Sequence, residues 1–104
     1  MPIKTIDSGI LKRWLDKNEV VLIDVREPEE YALENISAAK LIPLNTISTS
    51  KLPDIQGKKI VIHCRSGKRS LAACEKLLSE DNTLELYNLD GGILSWGNFC
   101  KRSS

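Results

Sequence analysis

Neither sign of charge dominates this chain: 15 lysines and arginines face 14 aspartates and glutamates, for a formal net charge of +1. That near-balance offers no global field to nucleic acid or to an anionic membrane, so any anion site must be local. Long apolar runs are missing as well. No stretch approaches the roughly 18 apolar residues of a membrane span. The opening Met1-Pro2-Ile3-Lys4-Thr5-Ile6-Asp7 lacks the apolar segment of a secretory signal, so none is expected there. Histidine is reduced to His63, and the three cysteines, Cys64, Cys74 and Cys100, form no Cys-x-x-Cys pair. That stock is too poor for a structural zinc site, and no metal is expected. An odd cysteine count without an export signal points to reduced thiols in a cytoplasmic setting. No glycine-rich dinucleotide fingerprint follows Ile23, so no cofactor is expected either. Repeats and low-complexity tracts are also absent. The 104 residues read as one domain, 1–104, with room for one modest core.

What the chain does have is alternation. Val20-Val21-Leu22-Ile23 and Ile60-Val61-Ile62 are continuous, β-branched-rich runs. Continuous runs suit strands covered on both faces, as in parallel sheets. Ile3 to Ile6, Lys40 to Ile42 and Leu84 to Leu89 are weaker strand candidates. Helix signals lie between them. Ser8 is placed to cap a helix through about Lys17, with Ile10, Leu11, Trp14 and Leu15 on one face. Pro28 with Glu29 and Glu30 makes a favourable first turn for a helix to about Asn35. The strongest helix spans about Lys68 to Glu80, with Leu71, Cys74, Leu77 and Leu78 as its apolar positions. Gly91-Gly92 opens a last helical segment carrying Ile93, Leu94 and Trp96. Residues 45–57 read as an irregular connection with room for one short helical turn. Strands alternating with helices predict a three-layer α/β domain with a mostly parallel sheet.

The chemistry concentrates in His63-Cys64-Arg65-Ser66-Gly67-Lys68-Arg69-Ser70. Cys64 falls where a central strand ends and a helix is about to begin, the place where open α/β sheets bind ligands. Gly67 lets the loop curl, and a curled loop turns successive N–H groups inward as an anion nest. The helix N-terminus adds its partial positive charge, and Arg65, Lys68 and Arg69 add formal charge around the rim. Such a site favours a thiolate, the nucleophilic form of cysteine, at the mouth of the sheet. A buried structural cysteine beside a solvated basic loop is the bland alternative.

Cys64-Arg65-Ser66-Gly67-Lys68-Arg69-Ser70 resembles the active-site loop of the rhodanese-like sulfurtransferases. Leu22-Ile23-Asp24-Val25-Arg26-Glu27-Pro28-Glu29-Glu30-Tyr31 is similar to that family's Asp-Val-Arg strand end and following helix. Leu89-Asp90-Gly91-Gly92-Ile93-Leu94-Ser95-Trp96 is similar to its terminal Gly-Gly…Trp signature. Together the motifs cover about residues 5–97. The resemblance implies a five-stranded, mainly parallel sheet with helices on both sides. It implies a sulfurtransferase that takes a sulfane sulfur from a small anionic donor such as thiosulfate onto Cys64 as a persulfide. The sulfur then passes to cyanide or a thiol, a protein thiol among the candidates. Arg65 through Ser70 supply the cradle. A monomer is expected, with no nucleic-acid or membrane partner. One stretch departs from the family: where Gly-His-Ile-Pro-Gly-Ala is frequent, this chain has Glu34-Asn35-Ile36-Ser37-Ala38-Ala39.

Two other readings stay open. A cysteine phosphatase or arsenate reductase is disfavoured because only four residues separate Cys64 from Arg69, one short of the phosphatase spacing. A rhodanese-like binding or regulatory module without turnover would use the same nest. Among neighbouring residues, Asp24 and Arg26 are expected to support the loop or to pair with each other. His63 should point away from Cys64, since adjacent strand residues face opposite sides. Cys74 belongs to the core. Cys100 reads as a free cysteine on a loose terminus, with a resolving thiol as the alternative. Trp14 and Trp96 read as packing residues.

Overall fold

The computed structural model describes residues 3–55 and 57–103. Met1 and Pro2 of the opening stretch, Gln56 of the irregular connection and Ser104 lie outside the described residues. The element order is β1 (Ile3–Ile6), α1 (Ser8–Asp16), β2 (Val20–Asp24), α2 (Pro28–Leu33), β3 (Ala39–Leu41), β4 (Lys59–His63), α3 (Lys68–Glu80), β5 (Leu86–Leu89) and α4 (Gly92–Ser103). A single 3-10 turn, Thr49–Lys51, interrupts the connection between β3 and β4. The strands form one five-stranded sheet in the order β1-β5-β4-β2-β3. All four strand pairings are parallel. The fold is therefore the expected α/β architecture, with β4, the strand leading into Cys64, at the centre.

The continuous apolar runs have a simple cause: both faces of the sheet are covered. In β2, Val20 and Leu22 pack into one cluster with Leu11 of α1 and Ile93 of α4. Ile23, one residue on, packs into the other with Ala73, Cys74 and Leu77 of α3. β4 alternates in the same way, with Ile60 and Ile62 on the α3 side and Val61 on the α1/α4 side. Each fully buried aliphatic side chain contributes about 1.5–3 kcal/mol by leaving water. Trp14 packs edge-on to Tyr87 with centroids 5.0 Å apart, and Trp96 lies tilted against Phe99.

Three local expectations change. The cap of α1 is Asp7, not Ser8: its Oδ1 accepts the Ile10 N–H at 2.9 Å, a bond a carboxylate makes at least as well as a serine. Ser8 is instead buried as the first helical residue. α2 stops at Leu33, because Glu34 is extended. In α3 the buried stripe is Ser70, Ala73, Cys74 and Leu77. Leu71 stands 43% exposed, since the face that meets the sheet is narrower than the apolar pattern suggested.

Candidate active site

β4 ends at His63, and the chain turns through Cys64 to Gly67 into α3. Gly67 sits at the cap position of α3 with φ of +117°, where an L side chain is strained. Its N–H points at Cys64 Sγ from 3.1 Å. The Ser70 hydroxyl lies 3.5 Å from the same sulfur. Two forces act on this thiol. Burial pushes its pKa up, and hydrogen bonding from the Ser70 hydroxyl and from the N–H groups of Ser70, Gly67 and Ser66 pulls it down. The hydrogen bonds win, and the net position is below that of an ordinary cysteine.

The direction of those amides has a source beyond the loop. The carbonyls of Cys64 and Arg65 accept the N–H groups of Ile93 (2.9 Å) and Leu94 (3.3 Å) at the start of α4. A helix N-terminus carries N–H groups without intrahelical partners, and here the loop satisfies them. Carbonyls turned out toward α4 leave the loop's own N–H groups turned in toward the sulfur. This contact needs Gly92. Its φ is +57°, and a Cβ there would lie 2.5 Å from the carbonyl oxygens of both Cys64 and Arg65.

The rim differs from the expected ring of cations. Arg69 forms a bidentate pair with Glu30 of α2, at 2.6 and 2.9 Å. Glu30 also accepts the Glu27 N–H at 3.0 Å. The Arg69 hydrogen bond, then that N–H, hold the Glu30 carboxyl down to about 2. Arg69 is thus occupied by a carboxylate rather than held out for a ligand. Arg65 and Lys68 are exposed, and neither takes part in an ion pair among the described residues. Arg65 borders a cleft of about 290 Å³ with Leu33, Ile93 and Leu94.

The sulfur is not open at the mouth of the sheet, as the sequence suggested: Cys64 is 1% exposed. The groups gathered close enough to bond the sulfur also cover it.

Asp24 and Arg26 are also placed differently from a direct brace on the loop. They pair with each other in the interior, Nη2 to Oδ2 at 2.7 Å and Nε to Oδ1 at 3.0 Å. Arg26 also donates to the Glu34 carbonyl (2.7 Å) and the Glu30 carbonyl (3.5 Å), fastening the end of α2. This anchors the stretch Glu34 to Ala39, where Ile36 is buried and its carbonyl accepts the Ala39 N–H at 2.8 Å. His63 points away from the sulfur, as expected. Its Nδ1 is 3.2 Å from the Cys64 carbonyl and its Nε2 lies 3.7 Å from Asp24, without a hydrogen bond. Burial, chiefly, holds its pKa below the usual value, which favours the neutral ring. Cys74 is fully buried, its thiol pushed up to about 12 first by burial and then by Glu75. Cys100 is exposed on α4 rather than on a loose end. Among the described residues no group of three or more His, Cys, Asp and Glu gathers as a metal site, and no helix is long and apolar enough to cross a membrane.

Three participants escaped the sequence reading: the α4 amides, Glu30 as partner of Arg69, and Asn88, whose side-chain amide meets the Gly67 carbonyl and the Ser70 hydroxyl. Asn88 had a signal, a lone amide interrupting the apolar strand Leu86–Leu89 beside the glycine pair.

Known proteins share this sequence pattern and fold. A sulfurtransferase of Allochromatium vinosum is 37% identical over 95 residues, covering 90% of this chain and 88% of that protein. An uncharacterized protein of Synechocystis sp. is also 37% identical, over 92 residues, but this chain spans only 51% of its length. The crystal structure of a rhodanese-like domain protein from Staphylococcus aureus superposes with a TM-score of 0.74 at 35% identity, covering 90% of this chain and 91% of that one. With the family model for the rhodanese-like domain matching residues 7–99, the chain belongs to the rhodanese-like domain family, which includes named sulfurtransferases.

Proposed function

We infer that Cys64 is the sulfur-carrying nucleophile of a sulfurtransferase. The observation that carries this reading is the Gly67 N–H aimed at one sulfur from 3.1 Å beside the Ser70 hydroxyl, with the N–H groups of Ser66 and Ser70 adding to the pull on its pKa. The Cys64 thiolate attacks the outer sulfur of a donor such as thiosulfate. A new S–S bond forms, the donor's S–S bond breaks, and sulfite leaves with its electron pair. The terminal sulfur of the persulfide carries the negative charge, which the same amides stabilise. A cyanide or thiolate acceptor then attacks that terminal sulfur. Thiocyanate or a new persulfide departs, and the Cys64 thiolate is restored. Arg65 and Lys68 attract the anionic donor. The chain acts as a monomer in a reducing, cytoplasmic compartment, in line with its three free cysteines.

Phosphoryl transfer finds less support. It needs a wide cradle of cations for three equatorial oxygens, and Arg69 is held by Glu30. A binding module without turnover has one observation in its favour, the 1% exposure of Cys64. Mass spectrometry separates the readings. Incubation with thiosulfate should add about 32 Da, one sulfur atom, to Cys64. Thiocyanate should then form on adding cyanide. Cys64 left unmodified by thiosulfate, polysulfide and glutathione persulfide alike would sink the transferase reading.

A further inference from the structure

Asn88 reaches the loop from β5, the neighbour of β4, and no step above uses it. Its Nδ2 donates to the Gly67 carbonyl at 3.2 Å, and its Oδ1 accepts from the Ser70 hydroxyl at 2.5 Å. The amide has only one workable orientation. The Gly67 carbonyl can only accept, so the NH₂ end must face it, and the oxygen is left for Ser70. That oxygen can only accept in turn, so Ser70 must donate. A hydroxyl has a single hydrogen. Yet Ser70 Oγ also lies 3.1 Å from the Gly67 carbonyl and 3.5 Å from Cys64 Sγ. While the hydrogen points at Asn88, the sulfur can only donate to Ser70, which requires a thiol. A thiolate has nothing to donate and draws the hydroxyl hydrogen to itself.

We propose that Asn88 is a positioning residue: its side-chain carbonyl competes with the Cys64 sulfur for the one hydrogen of Ser70, and so sets how readily the thiolate forms. On ionisation the Sγ proton leaves to solvent, the Ser70 hydrogen swings from Asn88 to the sulfur, and no heavy-atom bond changes. Asn88 thereby favours the resting thiol, and Ser70 favours the thiolate. The inference rests on Cys64 being the reactive thiol of the reading above.

Other charged and titratable groups surround Cys64 from each neighbouring element. α3 contributes Lys68 and Arg69, the latter paired to Glu30 of α2. The loop contributes Arg65. His63 adjoins on β4, with Asp24 and Arg26 behind it. α4 presents Ile93 and Leu94 there, neither titratable.

The test is the pH dependence of Cys64 alkylation by iodoacetamide on the full chain, with the site of modification read by mass spectrometry. Asn88→Leu, near in size to asparagine, and Asn88→Ala, which only removes atoms, should each lower the midpoint by about 0.5–1 pH unit, the worth of one neutral hydrogen bond. Ser70→Ala should raise it. In the Ser70→Ala background the Asn88 substitutions should shift nothing further, because they act through that hydroxyl. Asn88→Asp, which restores an acceptor and adds negative charge, should bring the midpoint back to the wild-type value or above. A midpoint unchanged or raised in Asn88→Ala that folds by circular dichroism overturns the proposal. So does an Asn88 shift of equal size with and without the Ser70 hydroxyl. The readout needs no sulfur donor. A wild type that never loads sulfur but shows these shifts removes the transferase reading and leaves this inference standing.

Discussion

Cys64 and Cys74 are ten positions apart and lie in the same buried cluster, 1% and 0% exposed. Their thiols nevertheless move in opposite directions, Cys64 below the ordinary cysteine range and Cys74 up to about 12. Burial is therefore not what decides the direction in which each thiol moves. The difference is what surrounds each sulfur. Cys74 sits in the middle of α3, where the neighbouring N–H groups are committed to the helix's own carbonyls. Cys64 sits before α3 starts, where N–H groups have no intrahelical partner and can turn to a sulfur.

The widest gap between the two should appear in activity. Cys64→Ser is expected to reduce sulfur transfer to background in a thiocyanate assay, with Cys74→Ser retaining most of it. Activity in Cys64→Ser would mean that the loop thiol is not the carrier. Next in size is Gly92→Ala, which drives a methyl group into the Cys64 and Arg65 carbonyls. It should cost about 1–3 kcal/mol in urea unfolding and raise the Cys64 alkylation midpoint toward that of an ordinary thiol. An unshifted midpoint would detach the cradle from α4. Cys74→Ser leaves a hydroxyl in an apolar interior and should cost about 1–3 kcal/mol of stability without moving that midpoint. The pH profile sharpens the contrast without mutation. Because the Cys64 pKa is depressed in the fold, its thiolate and the transfer rate should be at their plateau above that pKa and decline as pH falls through it. Its contribution to stability follows the same direction: complete above the unfolded cysteine value and lost as pH falls through the folded one. Cys74, raised to about 12, should stay unalkylated throughout the neutral range.

The smallest effect belongs to the rim. Glu30, held to about 2, contributes stability that is present above the ordinary glutamate value and is lost as pH falls through about 2. The pair with Arg69 is partly exposed, so Glu30→Gln should cost under about 1 kcal/mol at pH 7. The difference from wild type should shrink in urea titrations as pH falls through about 2. A cost that persists there would mean that the charge of Glu30 is not what the pair with Arg69 relies on, since glutamine keeps the oxygen that accepts the Glu27 N–H.

Much of the molecule could be read before folding, for a physical reason that applies residue by residue. β2 and β4 are visible because a parallel strand buried on both faces demands an uninterrupted apolar run, as at Val20–Ile23 and Ile60–Ile62, while β1, β3 and β5 carry polar residues and signal more weakly, and α3 shows through its helical period. The cap of α1 was misplaced by one residue because Asp7 and Ser8 both have an oxygen suited to it, and chain geometry alone chooses between them. Leu71 was misjudged because helical periodicity marks a face without stating how wide its cover is.

Composition and order alone thus settled that this chain builds a parallel α/β sheet and sets a thiol between a strand and a helix start. Those features depend on residues close in sequence, whose dihedral preferences and side-chain period act locally. Folding decided which way the loop amides point, which arginine is already held, and how deep the sulfur lies. Each of those depends on groups from distant strands and helices: Ile93 and Leu94 amides on the loop carbonyls, Glu30 on Arg69, Asn88 on Ser70. A hydrogen bond's direction is set by both partners, and here the second partner comes from far along the chain.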